Sequence, residues 1–330
     1  MSVPSGPARD LPGDLPHDLP VRRFWSQQRH FGPIGVFDSG HGGLTVLRGL
    51  VDRLPRQPFI YFGDHANAPY GERPGPEIYE LTRRAVDQLF QLGCGLVVLA
   101  CNTASAVALR KLQQEWLPQA YPRHRVLGVL VPMVEALART NWYSETPEPA
   151  APQAPAEMIA VFATPATVMA GSYVDEVKKR APRVAVLQRA CPELAGLIEA
   201  DAGDEAIRPH VARHVAALLA EAGRVHPQWP VPNKAVLGCT HYPLIQHLFA
   251  AALPPETEIL SQPKRVAEAL ISYLWRHPEF RHFEAAPVTP LCFTSGDATR
   301  ISTLASRFFG GHLVFHPLSE APRITAPPPG

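Results

Sequence analysis

Lysine is scarce in this 330-residue chain, and an excess of either charge is missing. Only Lys111, Lys178, Lys179, Lys234 and Lys264 occur, and none stands in a Gly- or Ser-rich tract of the kind that holds a pyridoxal phosphate Schiff base. No such cofactor is expected. With 31 basic and 30 acidic residues the formal net charge is +1, so no global field draws the protein to nucleic acid or to an anionic membrane. No apolar run reaches the roughly 18 residues of a membrane span, and residues 1–30 lack the apolar core of a secretion signal. Five cysteines, an odd number without a dense framework, exclude a disulfide scaffold and suit a reducing compartment, the cytoplasm by default. Neither Cys-x-x-Cys nor His-Glu-x-x-His is present, so a metal centre is not expected either.

What the chain does have is a recurrent alternation. Short apolar runs at Gly32–Phe37, Phe59–Phe62, Gly95–Ala100, Arg125–Val131, Glu157–Ala163, Arg183–Leu187 and Lys234–Leu237 read as strands buried on both faces. Helix-period stretches lie between them, among them Glu77–Leu92, Thr103–Trp116, Pro192–Ala200 and Ile207–Gly223. The alternation predicts an α/β protein with mainly parallel sheets flanked by helices. A 46% apolar content at this length supports one or two cores, with two domains as the natural expectation. Residues 1–30, with their repeated Asp-Leu-Pro, read as a disordered extension, Ser144–Ala156 as a mobile Pro- and Ala-rich loop, and 319–330 as a loose tail.

Ligands of open α/β sheets bind outside the carboxyl ends of the strands, so the residues that follow each strand carry the functional information. The first run leads into Asp38-Ser39-Gly40-His41-Gly42-Gly43 and the second into Gly63-Asp64-His65-Ala66-Asn67-Ala68-Pro69-Tyr70-Gly71. The third ends at Cys101-Asn102-Thr103 and the last at Gly238-Cys239-Thr240-His241. A cysteine at a strand end is ordinarily a small buried hydrophobe, a reading that Cys94, Cys191 and Cys292 keep. Cys101 and Cys239 differ because hydroxyl or amide residues and a helix start follow each at once, where backbone N–H groups favour a thiolate. The Gly-rich tract after Asp38 lacks a Walker lysine and the spaced glycines of a dinucleotide site. By itself it makes a turn or cradles an anion.

Four tracts, IGVFDSGHGGLTVLRGL (34–50), APYG (68–71), VVLACNTASAVAL (97–109) and LGCTHYPLI (237–245), occur in an order that resembles the glutamate racemases of the aspartate/glutamate racemase superfamily. Weaker matches at 128–132, 162–168, 190–199 and 293–310 make the resemblance collinear from about Gly32 to Gly310. The resemblance implies two similar α/β domains, 31–127 with 243–318 and 128–242, and an active site in the cleft between them. It implies Cys101 and Cys239 as the two catalytic acid/bases, Asp38 and His241 as their auxiliaries, and Glu199 at a further acidic position. Substrate contacts are implied for Asp38, Ser39, Tyr70, Gly71, Asn102, Thr103, Thr240 and His241, with Thr164 and Thr167 as additions. It further implies glutamate as substrate, no cofactor, a homodimer, and supply of D-glutamate for peptidoglycan. The chain departs from the family where Gly-Asp-Thr-Ala-Arg is usual: His65 and Asn67 replace the Thr and Arg, removing a permanent cation. That departure keeps aspartate or another acidic amino acid as an alternative substrate, and a binding protein with a degenerate site as an alternative function. A hydrolase or transferase using one Cys with His241 as base is the further rival.

Paired thiols suit racemisation for an elementary reason. A single base would return the proton to the face from which it came, whereas two opposed groups, one basic and one acidic, invert the centre and exchange states in the reverse direction. Backbone N–H groups at the helix starts after Cys101 and Cys239 would hold the substrate carboxylate.

Overall fold

The computed structural model describes residues 31–138, 157–228 and 230–321. The expected extension 1–30, the expected loop 144–156 and residues 322–330 of the expected tail lie outside the described residues. Among the described residues ten strands form: β1 (Ile34–Asp38), β2 (Phe59–Gly63), β3 (Leu96–Leu99), β4 (Arg125–Gly128), β5 (Met158–Ala163), β6 (Ala185–Ala190), β7 (Lys234–Gly238), β8 (Glu258–Leu260), β9 (Leu291–Thr294) and β10 (Phe315–Pro317). They build a six-stranded sheet, ordered β10-β9-β2-β1-β3-β4, and a four-stranded one, ordered β6-β5-β7-β8. Every pairing is parallel, and helices flank both sheets. The α/β class read from the alternation is what the chain adopts.

The central strands β2 and β3 of the first sheet are apolar because both their faces are buried. On β3, Leu96 and Val98 join one core while Val97 and Leu99 join another, and on β2 Phe59 and Tyr61 oppose Ile60 and Phe62 in the same way. Period-two geometry thus divides one continuous apolar run between two cores. Helix Gly75–Gln91 covers the second core with Ile78, Thr82, Ala85, Val86 and Leu89, a single stripe at helical spacing. It starts at a Pro-Gly-Pro tract with Glu77 in its first turn and stops at Gly93, whose φ of 82° suits the left-handed stop.

Three boundaries differ from the sequence reading. The second sheet does not end at 242: β8 pairs with β7 through Lys234↔Glu258 and Val236↔Leu260, so residues to Leu260 stay with it. A three-residue strand is too short to show a period. The expected helix Thr103–Trp116 is interrupted after Val107 and widens into a π-helical turn at Leu112–Trp116. Pro118 explains the widening, since its ring crowds the carbonyl four residues earlier and it lacks an N–H. The expected tail begins with a 3-10 turn at Leu318–Glu320, where Leu318 and Ala321 pack against the second core.

The larger core runs through both units. It combines Ile34, Val36, Leu44 and Leu47 of the first with Met158–Ala163 and Ala235–Leu237 of the second. Helix Gln262–Arg276 seals the junction by packing on helices Leu44–Arg53 and Leu130–Ala138. No helix among the described residues is long and apolar enough to cross a membrane.

Candidate active site

The carboxyl ends of the two sheets meet, and hydrogen bonds record the junction. Asp38 at the end of β1 accepts from the Thr240 hydroxyl beyond β7 at 3.2 Å, while its other oxygen accepts from the Gly40 N–H at 2.8 Å. After β3, the Thr103 hydroxyl lies 2.9 Å from that of Thr164 after β5 and 3.3 Å from that of Thr167. The glycines of the Asp38 turn exist for this approach: a Cβ on Gly42 would stand 2.3 Å from Thr240 Oγ1 and 2.6 Å from His241 Nδ1, and one on Gly43 2.4 Å from Asp38 Cβ. No side chain fits there.

Both cysteines singled out at strand ends lie at this junction, each 5% exposed, but their surroundings are electrostatically unlike. Cys101 caps helix Asn102–Val107; its Sγ accepts from the Ala104 N–H at 3.5 Å and lies 3.6 Å from the Ser39 hydroxyl. Burial, then the nearby Asp38 carboxylate, push its thiol up to about 12. The helix start after Cys101 does not make it a thiolate, contrary to the expectation from its sequence neighbours. One long N–H···S contact on a six-residue helix is outweighed by the loss of water around the sulfur.

Cys239 faces a cation instead. Its Sγ lies 3.6 Å from His241 Nδ1, and His241 Nε2 makes a short bond to Glu199 Oε2. Burial works against charge on His241, but the bonds to Cys239 and Glu199 outweigh it and hold the imidazole charged, well above the usual histidine value. Burial likewise opposes charge on Glu199, yet His241 and His41 keep its carboxyl well below the carboxylate range. One wall of the junction thus presents a neutral thiol, the other a sulfur beside an imidazolium. Asp38 stands between these regimes, with burial raising its carboxyl to about 6 despite His241.

The remaining sequence-predicted residues divide by whether their polar atoms are already engaged. Ser39 and Thr240 sit against Cys101 and Asp38 respectively. Tyr70 donates to Asp64 at 2.6 Å, and the Gly71 carbonyl accepts from the Ala166 N–H at 2.9 Å, tying the second strand's loop to the other unit. The Asn102 amide is closed on both sides: it donates to Gln262 Oε1 at 2.8 Å, and its oxygen accepts from Gln262 Nε2 and the Tyr173 hydroxyl, both at 2.9 Å. Its side chain therefore holds the helix start in place. Gln262 and Tyr173 have no signal in the sequence, because isolated polar residues within apolar patterns reveal no partner until the chain folds, and Asp64 stands in a strand-end tract that gives it no partner either.

At the departure from the family pattern, Asn67 turns its amide onto both oxygens of Asp64, at 3.0 and 3.1 Å. His65 Nδ1 lies 3.0 Å from the Gly63 carbonyl and 2.9 Å from the Thr294 hydroxyl. Burial, then the neighbouring His41, lower the imidazole to about 4, so it is neutral near pH 7. Its Nε2 is buried without a hydrogen-bond partner among the described residues, an arrangement that costs about 1–3 kcal/mol. His41, also unassigned by the sequence reading, has Nδ1 2.5 Å from Glu199 Oε1. Its place inside the Asp38 turn was visible; its partner, 158 residues away, was not. His41, His65 and Glu199 are the one group among the described residues whose donor atoms, all within 4.8 Å of one another, suit a metal ion.

No protein-family model matches the chain. A glutamate racemase of Phenylobacterium zucineum is 46% identical over 289 residues, covering 86% of this chain and 99% of that protein. One of a Caulobacter species is 46% identical over 286 residues, covering 86% and 98%. Among solved structures, a glutamate racemase isoform of Bacillus anthracis superposes with a TM-score of 0.73 at 27% identity, covering 88% of this chain and 97% of that one. Fold, paired thiols and relatives together define the class, an amino-acid racemase. Within it, the chain belongs to the glutamate racemase family.

Proposed function

We propose that the chain interconverts L- and D-glutamate by passing the α-proton between two sulfurs, without a cofactor. The observation that carries this reading is the electrostatic asymmetry of Cys101 and Cys239 at one junction of strand ends. Cys239, beside the imidazolium of His241, takes the α-proton on one face. Cys101, a thiol, gives a proton to the other face, and the product state is poised for the reverse direction. The backbone N–H groups beyond Cys101 and Cys239 and the Ser39 hydroxyl hold the substrate carboxylate and offset the charge that develops on the α-carbon. Glutamate is the substrate named by the relatives. Aspartate or another acidic amino acid is the second reading, favoured by Asn67 standing where the family carries a cation. Supply of D-glutamate for peptidoglycan and a homodimeric state rest on the family resemblance. Five unpaired, buried cysteines support a cytoplasmic setting.

The reading is tested by incubating each enantiomer of glutamate, and separately of aspartate, in heavy water while following optical rotation and α-deuterium. Inversion of glutamate with deuterium at the α-carbon is expected. Ligand binding with neither change would leave a binding protein.

The pH profile adds a second expectation. Charged Asp38 accepts from Gly40 and Thr240 and so holds the turn beside both thiols. Protonation removes acceptor capacity, and with its carboxyl at about 6, kcat/KM falls as the pH drops through that value. Asp38→Asn is expected to lower the plateau by roughly 100-fold and to erase this acidic limb. A limb that persists unchanged in the variant assigns it to another group.

A further inference from the structure

We propose that His41, His65 and Glu199 form a site for a first-row divalent cation that prefers imidazole, Zn2+ foremost, and that its occupation suppresses racemisation by drawing Glu199 away from His241. The three donors come from the turn after β1, the turn after β2 and the end of helix Leu194–Glu199. Their spacings bracket the value expected of ligands around one ion. Bonds of about 2.0–2.1 Å in tetrahedral geometry set donors roughly 3.3 Å apart. The present separations run from 2.5 Å, between His41 and Glu199, to no more than 4.8 Å. The required value lies within that range.

The hydrogen bonds on the far side of each ring point the same way. Carbonyl oxygens only accept, so the 3.0 Å contact with Gly63 puts the His65 hydrogen on Nδ1, and the 3.3 Å contact with Ile301 puts one on His41 Nε2. The lone pair of His65 then falls on Nε2, which is buried and unpartnered, whereas His41 Nδ1 shares a hydrogen with the Glu199 carboxylate that an ion would displace. An imidazole that donates its far N–H to a backbone carbonyl is the usual support of a metal-ligating histidine. Phe308 stacks on His41 and Phe315 meets His65 edge-on, so the group sits in an apolar surround where a cation takes the place of the hydrogen shared by His41 and Glu199. Two imidazoles with one carboxylate, and a position left for water, form a donor set that zinc accepts. The ligands are scattered along the chain, so no metal motif announces them.

Suppression rests on the proposed support of Cys239 through His241; binding of the ion does not. The two parts are therefore read separately on the full chain freed of metal. Titration with Zn2+ against a chromophoric chelator should give one tight site per chain, and Co2+ should bind there with tetrahedral visible absorption but no sulfur charge-transfer band. His65→Gln and, as a second variant that removes the ring and places a hydroxyl there, His65→Thr should weaken binding by roughly 100-fold or more while leaving the metal-free rate unchanged. Zn2+ should inhibit the unaltered protein reversibly, chelator restoring the rate, and both variants should resist. A sulfur charge-transfer band, or affinity unchanged in both variants, overturns the site. Tight binding without inhibition overturns the coupling to Glu199 even though the site stands. If no turnover is found at all, the binding measurements still decide the site.

Discussion

Cys101→Ser and Cys239→Ser are each expected to stop steady interconversion of glutamate, by roughly 1000-fold or more, since a serine hydroxyl is far too weak an acid or base to replace a thiol. The two losses should differ in kind. Cys101→Ser leaves the sulfur beside the His241 imidazolium, so the enantiomer whose α-hydrogen faces Cys239 still exchanges with solvent without inverting. Cys239→Ser leaves a thiol whose burial and Asp38 neighbour hold it protonated, so exchange from its face should be slower. Proton NMR of each enantiomer in heavy water separates the two cases by loss of the α-hydrogen signal with and without rotation change. Racemisation within tenfold of the unaltered protein in either variant would exclude a two-thiol mechanism and favour a single-cysteine enzyme.

Glu199→Gln is the second large effect. The carboxylate holds two imidazoles at once, and the amide that replaces it keeps the shape but loses the charge that keeps His241 protonated. The rate should fall by roughly 100-fold. Breaking a buried ion pair from one side ordinarily costs 3–5 kcal/mol, and partial exposure of the Glu199 side chain, 29%, brings the expectation to about 2–3 kcal/mol. The signs define a window. The depressed Glu199 contributes stability above its unfolded value of 4.5 that is lost as the pH falls through its folded value. The raised His241 contributes stability that is full below its unfolded value of 6.5 and lost as the pH rises through its folded value. Thermal melts near pH 5.5–6 should therefore show the widest gap between Glu199→Gln and the unaltered protein, narrowing in alkali. A gap independent of pH would mean that the carboxylate acts only by packing.

Much of the protein was legible before folding, where a local physical rule applied. The α/β class followed from apolar runs alternating with helical stripes, and seven of the strands lie on or beside runs chosen that way. β8, β9 and β10 give no legible run, being three or four residues long and defined by their neighbours. The apolar run Arg183–Leu187 places β6 too early, because its later residues Gln188 and Arg189 are polar; pairing with the full length of β5 determines its true span. The site was legible in part for the same reason. A cysteine followed by hydroxyl and amide residues at a strand end is a local pattern, whereas Asn102 closing onto Gln262 and Tyr173 is not.

The sequence by itself determined the class of fold, the strand ends rich in reactive side chains and the distinction of Cys101 and Cys239 from the other three cysteines by their neighbours. Those are consequences of period, of neighbours one to three residues away, and of residue types that have few other uses in such places. Only the tertiary structure decided the charges. Whether a thiol, a carboxyl or an imidazole holds its proton depends on how much water burial removes and on which charges lie within a few ångströms. Here those neighbours are Asp38 for Cys101, Glu199 for His241, and His241 with His41 for Glu199, brought from separate stretches of chain by the meeting of the two sheets.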